Sequence, residues 1–138
     1  PMERTPAQVG EVARGGYVLV DCGGRPDCVL IATGSEVGLA VDAARRLTEA
    51  GRRIRVVSMP CTEVFDTQPQ QYRDSVLPPG VPRVAIEAGA RDGWWRYVGG
   101  NGAVIGMDGF GASAPAKKLF EHFGFTPDNV VRTVEGLL

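Results

Sequence analysis

Residues 30–51, LIATGSEVGLAVDAARRLTEAG, pass from an apolar segment through a glycine turn into an amphipathic segment. The run Cys28–Ala32 is apolar at every position, which is typical of a strand covered on both faces of a parallel sheet. After Ser35 the apolar residues repeat at the spacing of one helical face: Val37, Ala40, Val41, Ala44 and Leu47. Gly51 ends this predicted helix, and Ile54–Met59 supplies the next strand. Strand, helix and strand within about thirty residues predict a right-handed βαβ crossover, and therefore two parallel strands.

The rest of the chain alternates between strands and helices in the same way. Further strands are predicted at Tyr17–Val20, Arg83–Glu87 and Ala103–Met107. Further helices are predicted over Thr5–Arg14, Pro69–Val76, residues 92–98, Ser113–Phe123 and Pro127–Leu138. Thr5 and Thr126 are expected to cap the first and the last of these helices. The alternation predicts a three-layer α/β/α sandwich with about five strands, which is a Rossmann-like arrangement.

The length and composition indicate a single soluble domain over residues 1–138. A chain of 138 residues can bury roughly two thirds of the surface that it exposes when extended. Its 15 Lys and Arg balance 16 Asp and Glu, so it lacks the positive charge that a nucleic-acid partner requires. No apolar run approaches the ~20 residues that cross a bilayer, so we expect no membrane partner and a cytoplasmic location. Because the chain starts at Pro1, we expect it to be a piece of a longer protein.

The residues that most often carry chemistry form no complete catalytic set. Cys22, Cys28 and Cys61 include no CxxC pair and have no neighbouring histidine, so we expect buried, unreactive thiols in a reducing compartment. His122 lies among phenylalanines without a nearby acid, which favours a packing role, and no serine has a partner base of the triad kind. The residues by themselves therefore predict no catalytic, cofactor-binding or metal-binding site.

The segment TGSEVG, residues 33–38, shares only part of the pattern of a phosphate-binding turn. A dinucleotide fingerprint needs glycines in the order GxGxxG, and a P-loop needs a lysine after its last glycine; this segment has neither. Glu36 falls in the first turn of the predicted helix, where its carboxylate takes the position that a bound anion would occupy. We therefore expect Ser35 to cap the helix, and we interpret the segment as a scaffold turn.

Two adjacent tryptophans, Trp94 and Trp95, point about 100° apart if they lie on a helix. One is therefore expected in the core and the other partly exposed. An exposed tryptophan beside Tyr97 favours a protein interface over a small-molecule site.

Longer segments of the chain resemble transketolases over nearly the whole length from Thr5 to Leu138. The segments that carry the resemblance are VARGGYVLVDCGG (12–24), LIATGSEVGLAV (30–41), IRVVSMPCTEVFDTQPQQYRDSVLP (54–78) and VAIEAGARDGWWRYVGGNGAVIGMDGFGASAPAKKLFEHFGFTPDNVV (84–131). The resemblance is to the third, C-terminal domain of that family.

The resemblance implies a function for the longer protein. Transketolases transfer a two-carbon ketol unit from ketose phosphates to aldose phosphates in the pentose phosphate pathway, with thiamine diphosphate and Mg or Ca. In the family the first domain holds the diphosphate and the metal, and the middle domain supplies the glutamate that activates the cofactor. The resemblance therefore implies no catalytic, cofactor or metal residue in this chain. The segment GMDGFG, residues 106–111, departs from the family's GDG metal motif because Met107 stands at a glycine position.

The resemblance also implies a sheet order and a crevice. The residues alone suggest a hairpin between Tyr17–Val20 and its neighbour, whereas the family has a mixed sheet of order 1-3-2-4-5 with an antiparallel first strand. That order places a crevice between the turn Gly34, Ser35, Glu36 and the strand end at Glu87. In the family this crevice has been suggested to hold a regulatory ligand, and two carboxylates there would disfavour a phosphate.

Three functional hypotheses follow. The first is a structural domain that supports a transketolase homodimer, with the remaining domains and a second subunit as partners and with sugar phosphates bound elsewhere; alone it is expected to be inactive. The second is a regulatory module that binds a small ligand in the crevice. The third is a docking domain of a related thiamine diphosphate enzyme, which binds a partner protein through the helix of Trp94.

Overall fold

The computed structural model describes residues 11–87, 94–99, 101–106 and 126–138. The strands are β1 (Tyr17–Val20), β2 (Cys28–Ala32), β3 (Ile54–Ser58), β4 (Arg83–Glu87) and β5 (Ala103–Gly106). The helices are α1 (Glu36–Glu49), α2 (Thr62–Asp66), α3 (Gln70–Val76), α4 (Trp95–Val98) and α5 (Pro127–Leu137), and a 3-10 turn covers Val12–Arg14. The predicted helix Ser113–Phe123, most of the predicted helix Thr5–Arg14, Met107 and His122 lie outside the described residues.

The five strands form one mixed sheet of order β1-β3-β2-β4-β5. Leu30 of β2 lies opposite Val56 of β3 and Val84 of β4, and both pairings are parallel. β1 pairs antiparallel with β3, with Tyr17 opposite Ser58. The order implied by the resemblance is confirmed, and the hairpin is wrong. Both sides of β2 are taken by parallel neighbours, so β1 pairs with the open side of β3 instead.

β2 contributes side chains to two separate cores. Cys28, Leu30 and Ala32 point into one core, and Val29 and Ile31 point into the other. Helices α1 and α5 cover the first face of the sheet, while α2, α3 and α4 cover the second. The uninterrupted apolar run thus marks a strand buried on both faces, as the sequence predicted.

The ends of α1, α3 and α5 agree with the sequence to within two residues, whereas α4 begins at Trp95 instead of at residue 92. Thr126 caps α5 by accepting a hydrogen bond from the Asn129 N–H at 3.1 Å, as predicted. The helix Thr62–Asp66 was not predicted from the sequence, and its Phe65 side chain is buried in the second core. A helix of five residues carries too little periodicity to be recognised.

One glycine is required where the chain enters the sheet. Gly15 has φ of 84°. A Cβ atom at this position would collide with the backbone of Cys61 and Phe65, so the close approach of β1 to the start of α2 requires a glycine.

Among the described residues, no helix has the length and apolar character needed to span a membrane.

We expect Leu30→Ala to lower the free energy of unfolding by about 2–5 kcal/mol, because it opens a cavity under α1 in a strand that has no free face. Urea unfolding followed by circular dichroism measures this loss. Leu138→Ala is the matched control, since Leu138 is exposed and the same truncation there should change stability by less than about 0.5 kcal/mol. Equal losses in the two variants would contradict the assigned core.

Candidate functional site

The turn between β2 and α1 lies at the carboxyl edge of the parallel strands. Gly34 has φ of 52°, a left-handed conformation that favours glycine. The Glu36 N–H donates to the Thr33 carbonyl at 3.0 Å, and the Val37 N–H donates to the Gly34 carbonyl at 3.3 Å. The first N–H groups of the helix are therefore bonded to the turn itself, which leaves fewer donors for an anion.

Ser35 does not cap the helix with its side chain, so that prediction is wrong. Its backbone is helical, with φ of −69° and ψ of −18°, whereas Thr126 has the extended backbone of a capping residue. The Ser35 hydroxyl instead donates to the Glu36 carboxylate at 3.0 Å. The polar contact of the Ser35 side chain is therefore with a neighbouring side chain rather than with the helix backbone.

Two hydrogen-bonded pairs lie at the predicted crevice, Ser35 with Glu36 and Thr33 with Glu87. Ser35 bonds to Glu36, whose side chain is only 4% exposed. Glu87, at the end of β4, accepts a hydrogen bond from the Thr33 hydroxyl at 2.7 Å. Because β3 and β4 flank β2 on opposite sides, the strand order switches direction at this edge, where α/β proteins commonly bind ligands. Sequence reasoning missed Thr33, although its position directly after a buried strand marked it as an edge residue.

The described residues do not fit a thiamine diphosphate or a divalent metal site. Within residues 11–87 and the shorter described ranges, no three His, Cys, Asp or Glu side chains are close enough together to hold a metal ion. Every buried side-chain nitrogen and oxygen in these ranges has a hydrogen-bond partner. The described part of the chain thus contains neither a cluster of metal ligands nor a buried side-chain polar atom without a partner.

The three cysteines differ in their environments. Cys28 is buried as predicted, and burial raises the pKa of its thiol to about 12, which disfavours the thiolate. Cys61 is exposed and Cys22 is partly exposed, so the expectation of buried thiols is wrong for these two. Cys22 lies in the loop after β1, and Cys61 lies between β3 and α2.

Trp94, directly before α4, and Tyr97 within it belong to the second core. Trp94 is 8% exposed and packs against Tyr97 with ring centroids 5.4 Å apart. The Tyr97 hydroxyl donates to Asp66 at 2.8 Å, which ties α4 to α2. Trp94 is therefore the predicted core tryptophan, and the side chain of Trp95 lies outside what the structure describes. These contacts give no support to an exposed aromatic docking surface.

Two arginines at the starts of strands hold the end of α3, and sequence reasoning missed both. Arg55, only 9% exposed, donates to the carbonyls of Ser75 at 2.9 Å and Val76 at 3.2 Å. It also pairs with Asp21 at 3.1 Å. A charge in an apolar strand was the available signal, because a buried arginine must find acceptors.

Arg83 of β4 acts in the same way. Its guanidinium donates to the carbonyls of Leu77 at 2.8 Å and Tyr97 at 2.7 Å, and burial lowers its pKa from the ordinary value. Arg55 and Arg83 therefore join the sheet to the end of α3 and to α4 through backbone hydrogen bonds.

Comparisons with known proteins agree with this architecture. The family model described as "Transketolase-like TK C-terminal domain" matches residues 15–126. The chain is 56% identical over 138 residues to Transketolase 2 of Escherichia coli (strain K12). The aligned region covers 99% of this chain and 21% of that relative. It is 58% identical over 137 residues to Transketolase 1 of Vibrio parahaemolyticus, with the same coverage of 99% and 21%. A solved transketolase from Leishmania mexicana superimposes with a TM-score of 0.87 and 48% identity over 97% of this chain and 19% of that chain.

The fold and these matches define an α/β domain of the transketolase-like C-terminal type. The chain belongs to the transketolase family. It spans 21% of the length of the curated relatives named above.

We expect Ser35→Asp to destabilise the protein by about 1 kcal/mol or more, since it places a second carboxylate beside the buried Glu36 and removes a donor. Thr126→Asp is the control, because aspartate is a good capping residue there and stability should change by less than about 0.5 kcal/mol. Thermal unfolding of both variants measures the difference. If Ser35→Asp were tolerated as well as Thr126→Asp, Ser35 would be a cap after all.

Proposed function

We propose that residues 1–138 form the single C-terminal domain of a longer transketolase. The whole enzyme would transfer two-carbon ketol units between sugar phosphates, with thiamine diphosphate and Mg or Ca held by its other domains. It would act as a homodimer, and this domain would complete and support the subunit. The observation that carries the proposal is the 56% identity over 99% of this chain to one fifth of a transketolase's length.

The structure supports a supporting role rather than a catalytic one. Both faces of the sheet are covered, so the domain has its own complete core. Arg55 and Arg83 donate hydrogen bonds to backbone carbonyls, and Glu87 accepts a hydrogen bond from the Thr33 hydroxyl. Because these three charged groups are bonded within the domain, we assign the chemistry of the whole enzyme to its other domains.

A chimera tests this function directly. In Escherichia coli transketolase 2, the matching 21% of the chain is replaced by these 138 residues. We expect the chimera to form dimers and to transfer ketol units within about tenfold of the parent rate, because the docking surfaces of homologous domains are expected to be similar. The control is the same parent truncated before the replaced region. A soluble, dimeric chimera without activity would contradict the proposal.

The 138-residue chain alone should neither bind thiamine diphosphate nor transfer ketol units, because its described residues contain no cluster of metal ligands and the proposal assigns the cofactor to the other domains. Calorimetry with thiamine diphosphate and Mg²⁺ measures this, with the active chimera as the positive control. Micromolar binding by the isolated chain would place part of the cofactor site in this domain and overturn the assignment of roles.

We propose the crevice of Gly34, Ser35, Glu36 and Glu87 as a second, regulatory function. The observation that favours it is Glu36, a carboxylate 4% exposed at the point where the strand order switches. With Glu87 at the neighbouring strand end, the crevice would favour a ligand that carries an ammonium group over a phosphate.

An NMR titration with putrescine and, separately, with inorganic phosphate tests the crevice. Putrescine should shift the amide signals of Gly34 and Glu87, and Glu36→Gln should weaken this binding about tenfold, whereas Glu49→Gln on the exposed end of α1 should not. Shifts with phosphate alone, or equal effects of the two variants, would rule out an ammonium site.

A further inference from the structure

A second concavity lies at the opposite edge of the sheet. It has a volume of about 630 Å³ and lies between the end of β1, the start of β3 and the end of α1. Ile54 begins β3 here, whereas the crevice at Gly34 lies where the parallel strands end. The volume falls within the range of ordinary small-molecule sites. Nothing in the proposed function uses this pocket.

The floor of the pocket is apolar. It is formed by Val20 at the end of β1, by Ile54, and by Val41 and Ala44 on α1. Ala44 faces the sheet with a single methyl group, so α1 leaves space above the edge strand β1. An apolar floor of this kind favours a ligand with an apolar body, since water there gains few hydrogen bonds.

Three arginines and two acids line the rim, and some of these are already paired. Arg52 donates to Glu135 at 2.6 Å, and Asp21 accepts from Arg55 at 3.1 Å. Arg52 and Asp21 are thus each paired with a group outside the pocket, Glu135 and Arg55, so one cation and one anion of the rim are neutralised.

The remaining rim residues are two arginines and one acid, Glu49. Arg45 forms an exposed ion pair with Asp42 at 3.6 Å, which is too long for a hydrogen bond, and such a pair contributes little. The guanidinium of Arg53 lies over the backbone of Gly24, because that residue has no Cβ. Arg45 and Arg53 are both exposed, so their guanidinium groups are accessible at the rim of the apolar floor.

The carboxyl end of α1, which would repel an anion, is largely satisfied by its own turn. The Ala50 N–H donates to the Arg46 and Leu47 carbonyls at 3.2 and 3.1 Å, and the Gly51 N–H donates to the Thr48 carbonyl at 3.0 Å. These bonds reduce the negative partial charge that the helix end presents to the pocket.

We propose that this pocket binds a small amphipathic anion, with a flat apolar body on the floor of Val20, Val41, Ala44 and Ile54 and one anionic group between Arg45 and Arg53. Arginine suits this role because its planar fork binds an oxyanion with two donors. The ligand is bound reversibly, and no covalent step is involved.

A matched pair of probes tests the proposal on the 138-residue chain. Anilinonaphthalene sulfonate has the apolar body and the anion, and phenylnaphthylamine has nearly the same body without the charge. The sulfonate should bind one to one and slow the alkylation of Cys22, which lines the pocket. The exposed Cys61, which follows the other end of β3, should react at an unchanged rate and is the internal control. The neutral probe should bind at least about threefold more weakly.

Variants of the rim test whether Arg45 and Arg53 bind the anionic group of the ligand. Arg45→Gln with Arg53→Gln should weaken sulfonate binding about tenfold, while Arg132→Gln on the exposed face of α5 should leave it unchanged. Gly24→Ala should also weaken binding, because the new Cβ displaces the Arg53 side chain. Circular dichroism establishes that each variant is folded. The proposal would be overturned if the sulfonate did not protect Cys22, or if the two probes bound equally well. It would also be overturned if the double variant and Arg132→Gln had equal effects on binding. If the double variant does not fold, the Cys22 protection and the probe comparison on the unsubstituted chain still decide the question.

Discussion

The burial of β2 on both faces is the constraint on which the rest of the structure depends. A strand with five consecutive buried residues must have a neighbour on each side and helices above and below. β3 and β4 supply the neighbours, and the helices before and after them supply the two layers. Each residue of β2 therefore stabilises one of the two cores, with about 1.5–3 kcal/mol expected for each large apolar side chain.

The same constraint separates the two edges of the sheet. At the carboxyl edge, the chain leaves β2 through Gly34 and the order of strands switches, so the polar side chains of Thr33, Glu36 and Glu87 gather there. At the amino edge, α1 ends over the short strand β1 and leaves the apolar pocket with its arginine rim. The two concavities therefore differ in charge because different ends of α1 border them.

The buried charges of the second face support the fold. Arg55 and Arg83 lie opposite the same residue of β2, in the two strands that flank it, and each is stabilised by two or more acceptors. Such groups are costly to bury unless they are fully bonded. Their common target is the end of α3 and the loop after it, which these bonds join to the sheet.

The sequence by itself determined the layer architecture, the central strand, the last helix with its Thr126 cap, and the family. These depend on local periodicity, on backbone preference and on long stretches of similar residues. It predicted the crevice residues Gly34, Ser35, Glu36 and Glu87 as neighbours in the fold, but only through the strand order that the resemblance implied. The short helix at Thr62–Asp66 was not predicted, because five residues are too few to show a helical period in hydrophobicity.

Only the tertiary structure decided the partners of polar and edge groups. It placed β1 beside β3, turned the Ser35 hydroxyl to Glu36, and exposed Cys61. It also directed Arg55 and Arg83 to carbonyls far along the chain and opened the pocket under Arg45 and Arg53. The physical reason is that a hydrogen bond or a cavity depends on which distant segments meet, whereas hydrophobic periodicity records only which face of a segment is buried.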